Sequence, residues 1–420
     1  MIRYSVLFLV AGLIASTLYS GTNESRFFND TIGKVSKSVD LVRDFGANGQ
    51  DAKDDSQALQ KAIDQLASLP GGGKITIPEG TYHLMDIVMK SNIHIVIDTA
   101  ATIVPANPSG MVFRFGADRK GAKALVQVNN ASIRGKGGRY TVDFRSGKVM
   151  EKLAFANCRN VDNFMIADFE VLDNYTRLSS VTLNLAQHED QFFRARNGVI
   201  KNGDVVNAHV GYGLIQMQLG YNILFKDLSG QGGVTLRLES GAVADSPPEI
   251  NIDEIYARNI SNRDGSSAFI MGAHTKIHGK VDIDGVTTYG SCFGGGIGRG
   301  FATPDQAARG HTGGHFSADS IVKNVHAVFG TNGTVKSKNF YLIPEPLKKY
   351  LSKEKSPDTV SFKSPSIAAI KYSDPNITLM NVTAEGFEHQ PIPVVINRKK
   401  VTDPETLAKL EAYLRDRKWE

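Results

Sequence analysis

A short apolar signature recurs along most of this chain, and few folds can absorb it. The pattern is apolar–x–apolar–x–x–apolar, often with Asp, Asn or Gly just before the last apolar residue. It occurs as Phe164/Ile166/Phe169, Ile223/Phe225/Leu228, Ile250/Ile252/Ile255, Val281/Ile283/Val286 and Ile377/Leu379/Val382, with a weaker copy at Val322/Val325. The middle residues of consecutive copies lie 27 and 31 apart, and the wider gaps of 59 and 57 are near twice that. A strand-like pattern at a period near 29 indicates stacked coils, each burying its inner face only against its neighbours. Leucine-rich repeats share this length, but their Leu/Asn signature is absent, and a propeller blade needs four strands in roughly 40 to 45 residues. The 41 glycines suit many short strands joined by tight turns. The fold expected is all-β: a right-handed parallel β-helix with an N-terminal capping helix and an inserted side lobe.

The segments around the repeat fit that reading. Asp54 to Leu69 is the clearest helix, with Leu59, Ile63 and Leu66 on one face and Asp55 or Ser56 as cap. Pro70 and three glycines stop it. Lys74 to Leu84 reads as strand, Pro-Glu-Gly turn, strand. A helix placed there covers the open end of the first coil. The body runs from 39 to 398, with insertions near 294–314 and 331–363; the second carries a short helix at Glu345 to Leu351. Residues 399–420 form a C-terminal helix capped by Asp403. Residues 21–38 read as a linker. Residues 1–20 read as a signal peptide, with Arg3 before the apolar run Val6 to Ala15, too short to span a bilayer comfortably. The chain is therefore expected to be secreted, with no stable membrane association after processing.

Composition excludes some roles. Two distant cysteines, Cys158 and Cys292, do not make a disulfide scaffold and read as buried free thiols. A net charge of +5 without a basic run interleaved with aromatics argues against nucleic acid and suits an acidic glycan. His311 and His315 lie four apart in a glycine-rich loop rather than on a helix, which does not favour zinc. No cofactor is expected, and structural calcium at the coil turns is left open although no calcium-loop motif is present.

Chemistry concentrates on two strands, Gly211 to Leu219 and Val234 to Glu239. Alternation turns Ile215, Met217, Leu219, Val234, Leu236 and Leu238 inward and Gln216, Gln218, Arg237 and Glu239 outward. The separation of 23 residues from Gln216 to Glu239 is about one short coil, so these four can share one outer face. His274 falls where a turn starts on the next coil. A glycosidase needs a carboxyl that protonates the leaving oxygen and usually a second carboxylate. Glu239 suits the first role and Arg237 would hold an anionic group. A solvated strand face with a structural Arg–Glu pair explains the same pattern. Arg194 and Arg196 could line the groove one coil earlier, and Arg299 and Arg309 could reach sulfates from the side lobe.

These residues also carry a resemblance. DFGANGQDAKDDSQALQKAIDQL is similar to the opening of many pectin-lyase-like β-helix proteins. GYGLIQMQLGYNILFKDLSGQGGVTLRLES, with the later FIMGAHTKIHGKVDIDGV and SPSIAAI, resembles the iota-carrageenase family of glycoside hydrolases, over roughly residues 40 to 390. The resemblance implies endo-hydrolysis of β-1,4 linkages in a sulfated galactan, with inversion. It implies Glu239 as general acid, Gln216 as a residue arranging the catalytic water and His274 as an active-site histidine. The family's second carboxylate belongs two residues after the acid, where this chain has Gly241. Asp245 in the following loop, or His274, could activate water instead. Two rivals remain. A lyase acting on uronates would need a dense acidic calcium site, and the outer faces that can be placed show none. A non-catalytic binder of sulfated glycans is consistent with Gly241.

Overall fold

The computed structural model describes residues 22–116, 126–390, 392–401, 403–417 and 419. The proposed signal peptide lies outside them. Among the described residues, 22 strands form one continuous parallel system. The chain winds through three faces per coil. The third face is built from Val181–Leu183, the last third of the strand Arg196–Met217, the last third of Gly220–Glu239, then Ser267–Gly272, Phe293–Gly298, Ala368–Tyr372 and Val394–Ile396. The two long strands run through all three faces, bending at corners rather than breaking.

The polar residue that precedes the last apolar position of the repeat makes those corners. Asp168, Asn202, Asp227, Asn259, Asn324 and Asn381 all adopt left-handed φ between 49° and 61°. Asn and Asp tolerate this region better than other residues with a Cβ. They also stack: the Asn202 amide donates to Asp168 at 2.9 Å, Asn259 to Asp227 at 2.8 Å and Asn381 to Asn324 at 2.8 Å.

The register corrects the sequence-derived repeat in one coil. Ile223, Phe225 and Leu228 pair with Ile255, Ala257 and Ile260 rather than with Ile250, Ile252 and Ile255. The copy missing between Phe164 and Ile223 is Gly198/Ile200/Gly203. Its glycines escape an apolar pattern because the neighbouring coil supplies the volume: a Cβ on Gly198 would fall inside the Phe164 ring, and one on Gly203 would lie 2.7 Å from Phe169 Cζ. The core is filled by exchange between rungs.

The helix at the N-terminal end spans Ser56–Ala67 and buries Leu59, Ala62, Ile63 and Leu66. Asp55 sits at its N-cap, but its carboxylate accepts from Asn48 N at 2.8 Å, and Ser56 Oγ accepts from Met85 N at 2.8 Å. Both are spent on tying loops to the cap. The C-terminal helix spans Pro404–Arg415, and Asp403 accepts from Thr406 N at 2.8 Å as its cap. Both thiols are free and buried.

Residues 22–36 are not a loose linker. Phe27 and Phe28 are buried against Met165, Val199, Leu224 and Tyr256 on the outside of the coils. Glu24 bridges Lys201 at 2.6 Å and Lys226 at 3.0 Å, and Arg26 reaches Glu254 at 2.6 Å. This segment straps successive rungs together. The insertion near 331–363 forms a hairpin of Gly333–Val335 with Phe362–Ser364 and two short 3-10 turns, one of them Glu345–Tyr350. Val335, Ile343 and Leu347 give it a small core against Phe293 and Ile367. Asp358 anchors it, accepting from Val210 N at 3.1 Å and from the Ser361 hydroxyl at 2.8 Å. The lobe therefore stands over the third face.

Candidate active site

The third face is where the chemistry collects. Alternation holds: Ile215, Met217, Leu219, Val234, Leu236 and Leu238 are buried in the coil, and Gln216, Gln218, Arg237 and Glu239 face out. In the actual register Gln216 lies beside Arg237, with Thr182 on the preceding rung and Ile270 on the next. A cavity of about 360 Å³ opens over Glu239. Its lining brings together Arg237, Glu239 and His274 from the β-helix and Arg299 and Phe301 from the loop after Gly298. Lys336, Lys338 and Tyr341 come from the side lobe, and Lys371, Lys399 and Lys400 from the last coils. Among the described residues, seven cations thus surround one carboxylate.

Glu239 is tightly held. The Arg237 guanidinium bonds its Oε2 and also the Gly211 carbonyl, and lies over the Tyr212 ring at 5.5 Å. His274 Nε2 stands 3.8 Å from Glu239 Oε1. Burial alone would push the Glu239 pKa up; Arg237 and His274 outweigh it and pull the carboxyl down to about 2. The unliganded site therefore carries Glu239 as a carboxylate at neutral pH.

His274 owes its place to a turn. Its φ is 51°, and its carbonyl accepts from Phe301 N at 2.9 Å and Gly314 N at 2.7 Å. Its ring packs on Phe301 at 4.9 Å and covers Gly241, where an added Cβ would lie 3.0 Å from Cε1 and 3.2 Å from Nε2. A buried chain of hydrogen bonds ties this turn to the residue after Glu239. His278 Nδ1 accepts from Ile252 N at 3.1 Å, so its Nε2–H donates to Ser240 Oγ at 2.9 Å. The Ser240 hydroxyl then donates to Ala273 O at 2.8 Å. Burial lowers the His278 pKa to about 3, which keeps the ring neutral and the chain unidirectional.

The other proposed residues lie elsewhere. Asp245 is exposed and engaged by His311 Nε2 at 2.8 Å and Arg309 at 3.3 Å, outside the cavity lining. Arg309 is thereby also outside it, while Arg299 is in. Arg194 donates to the Asn251 carbonyl and stacks over Tyr221 at 5.2 Å; Arg196 pairs with Asp162 at the start of the strand Arg196–Met217, away from the third face and its groove. Gln216 and Gln218 do not line the cavity. Sequence reading missed Lys336, Lys338, Lys371, Lys399, Lys400, Tyr341 and Phe301. The Lys-rich runs Val335–Lys338 and Arg398–Lys400 were the available signal, but nothing local aims them at Glu239. Among the described residues no three His, Cys, Asp or Glu side chains group as a metal site, and no helix is long and apolar enough to cross a membrane.

Coils stacked in parallel, with a cationic cleft along one outer face, define a β-helix protein with a groove open to an elongated anionic ligand. A family model described as rhamnogalacturonase A/epimerase, pectate lyase-like, matches residues 41–259, and the chain belongs to that family. The chain is 35% identical over 292 residues to an iota-carrageenase of Alteromonas macleodii, covering 67% of this chain and 58% of that protein. It is 36% identical over 259 residues to one of Zobellia galactanivorans, covering 60% and 51%. It thus spans a little over half the length of these curated relatives. Among solved structures it is similar to a 1,3-α-1,4-β-D-galactose-4-sulfate-3,6-anhydro-D-galactose-2-sulfate 4 galactohydrolase, with a TM-score of 0.81, 27% identity and coverage of 90% of this chain and 94% of that one. An iota-carrageenase complexed to iota-carrageenan fragments gives a TM-score of 0.80 at 26% identity, with the same coverage. The resemblance read from the Gly211–Ser240 block is borne out.

Proposed function

We propose that this chain is an exported glycoside hydrolase that cleaves β-1,4 linkages of a sulfated galactan such as iota-carrageenan, acting within the chain and with inversion. The observation that carries this reading is one carboxylate, Glu239, set among seven cations in a groove that follows the coil axis. The relatives named above support the substrate class, and Arg3 with the apolar run after it supports export. Glu239 is the general acid. To donate a proton it must first be protonated, and Arg237 opposes that. A sulfate entering the groove offers Arg237 a competing anion and leaves the carboxyl to burial, which raises its pKa. The glycosidic oxygen then takes the Glu239 proton as its C–O bond breaks, and water attacks the opposite face of the sugar. His274, 3.8 Å from Glu239 Oε1, stands on the acid's side of the sugar and positions that carboxyl, and the attacking water gives up its proton to solvent. Asp245, engaged by His311 and Arg309, takes no part. No cofactor enters these steps.

The test is digestion of carrageenans of graded sulfation. New reducing ends without unsaturated products are expected. Glu239→Gln should lower kcat by about 10²–10⁴-fold. Full activity in that variant, or no reducing ends from any sulfated galactan, overturns the assignment. A second reading, a non-catalytic sulfated-glycan binder, is favoured by one observation: among the described residues, Glu239 alone lines the cavity with a carboxylate. It predicts binding without turnover.

A further inference from the structure

The strand Phe293–Gly298 reads Phe-Gly-Gly-Gly-Ile-Gly, and its glycines do not all have the same reason to be glycine. A Cβ on Gly294 would lie 2.6 Å from the Ala369 carbonyl oxygen, and one on Gly295 would fall inside the Phe269 ring. Packing forbids side chains there. A Cβ on Gly296 would meet only Ile270 Cγ1 at 3.7 Å and Lys371 Cε at 3.8 Å, and one on Gly298 only Met271 O at 3.4 Å. These are ordinary contacts, and neither residue has the positive φ that favours glycine. Glycine inside a strand weakens it, and where the fold does not require it, it marks close approach of a ligand or another backbone. The cavity over Glu239 opens on this face, with both glycines in its lining.

The position of these glycines is informative. Glu239 pairs with Gly272, which pairs with Gly298. On the parallel row Ile270 pairs with Gly296, which pairs with Lys371. For two rungs beyond Glu239, about 10 Å along the axis, the groove floor carries Gly272, Gly298 and Gly296, with Ile270 the side chain standing beside them. Cations rim it. Lys371 lies over the Phe293 ring at 4.9 Å and Lys400 over Phe301 at 3.8 Å, and among the described residues neither side chain makes an ion pair. Ammonium groups that no carboxylate pairs directly, one partly buried at Lys371 and one exposed at Lys400, are suited to an incoming anion.

We propose that Gly296 and Gly298 form the floor of a subsite beside Glu239 that seats the face of a sulfated sugar ring, with Lys371 taking its sulfate. The proposal rests on the hydrolase reading for its substrate and deepens it: specificity at this subsite is set by two missing side chains. Any side chain at 296 or 298 lifts the sugar from the floor and away from Lys371.

The experiment uses the full chain and an iota-carrageenan hexasaccharide, with its desulfated counterpart, measured by calorimetry alongside melting temperature. Gly296→Val and Gly298→Val are expected to keep or raise the melting temperature while weakening hexasaccharide binding at least tenfold, with Gly296→Ala intermediate. Lys371→Met is expected to remove the preference for the sulfated form. Unchanged affinity in folded Gly296→Val and Gly298→Val overturns the proposal. So does a melting temperature that falls in step with affinity, because the glycines would then be structural. A wild-type chain that binds the hexasaccharide without cleaving it, with binding lost in Gly296→Val, refutes the hydrolase reading and leaves the subsite standing. A wild-type chain that does not bind it overturns the subsite.

Discussion

Glu239 and Arg237 alternate on one strand, and their pairing has a sign that can be measured. The carboxyl is pulled from its ordinary 4.5 to about 2. A depressed carboxylate stabilises the fold fully above pH 4.5 and loses that contribution as pH falls toward 2. Arg237→Ala removes the larger attraction and leaves a largely buried carboxylate, at a cost of about 3–5 kcal/mol near neutral pH. Denaturant titrations should show that difference from wild type narrowing as pH falls from 4.5 to 2. A difference constant with pH would mean the pair does not hold the proton balance of Glu239. His274 is the second residue whose role is open to substitution. His274→Asn should keep the melting temperature and lower kcat by at least tenfold, whereas unchanged kcat would show that it does not position Glu239. The outward phase of Arg237 and Glu239 was legible from alternation alone, because strand period is local. The lysines facing them were not, since 336, 371 and 400 meet only when the chain has wound past them.

At the level of elements, a turn and a strand share one hydrogen-bond chain through His278, Ser240 and Ala273. Ser240→Ala leaves the His278 N–H short of a partner, while the Ala273 carbonyl keeps only the Lys276 N–H at 3.0 Å, costing about 1–3 kcal/mol. Because Ala273 precedes His274, kcat should fall further than KM rises, and Ser240→Thr should recover most of it. Equal changes in KM and kcat would reduce the chain to scaffolding. The rungs themselves couple in the same way. Gly198→Ala forces a methyl into the Phe164 ring and should cost about 1–3 kcal/mol. Phe164→Leu in the same chain should recover part of that, and strict additivity of the two in chemical denaturation would contradict volume exchange between coils. This exchange is why the repeat looked interrupted: glycine in one coil is the counterpart of phenylalanine in the next. The shifted register of Ile255, Ala257 and Ile260 has a similar cause, since alanine carries little apolar signal although its rung is complete.

Over the whole molecule, the coils are stapled from outside by residues 22–36 and closed at the two ends by helices. Phe27 packs edge-on to Tyr256 at 5.3 Å and is nearly inaccessible. Phe27→Ala should cost about 3–5 kcal/mol and expose amides around Met165, Val199 and Leu224 to hydrogen exchange. Unchanged protection there would show that the strap adds nothing to the stack. The groove acts at the same scale: under the proposed function, seven cations around one carboxylate make capture of a sulfated chain electrostatic. KM for a sulfated galactan should therefore rise steeply as salt is raised, because exposed charges are screened over roughly 8–10 Å at 0.1–0.15 M ionic strength.

The sequence by itself determined the coil: its length, its inward residues, its left-handed corners and the acid beside an arginine, all of which are set within some thirty residues by strand period and backbone sterics. It also marked the cap helix, whose apolar face repeats over three turns. Tertiary structure alone decided which coil lies against which, where glycine makes room for a neighbour's ring, and that a strap, a lobe and a C-terminal segment turn an open strand face into a cationic cleft. Those are contacts between residues far apart in the chain, and no local periodicity encodes them.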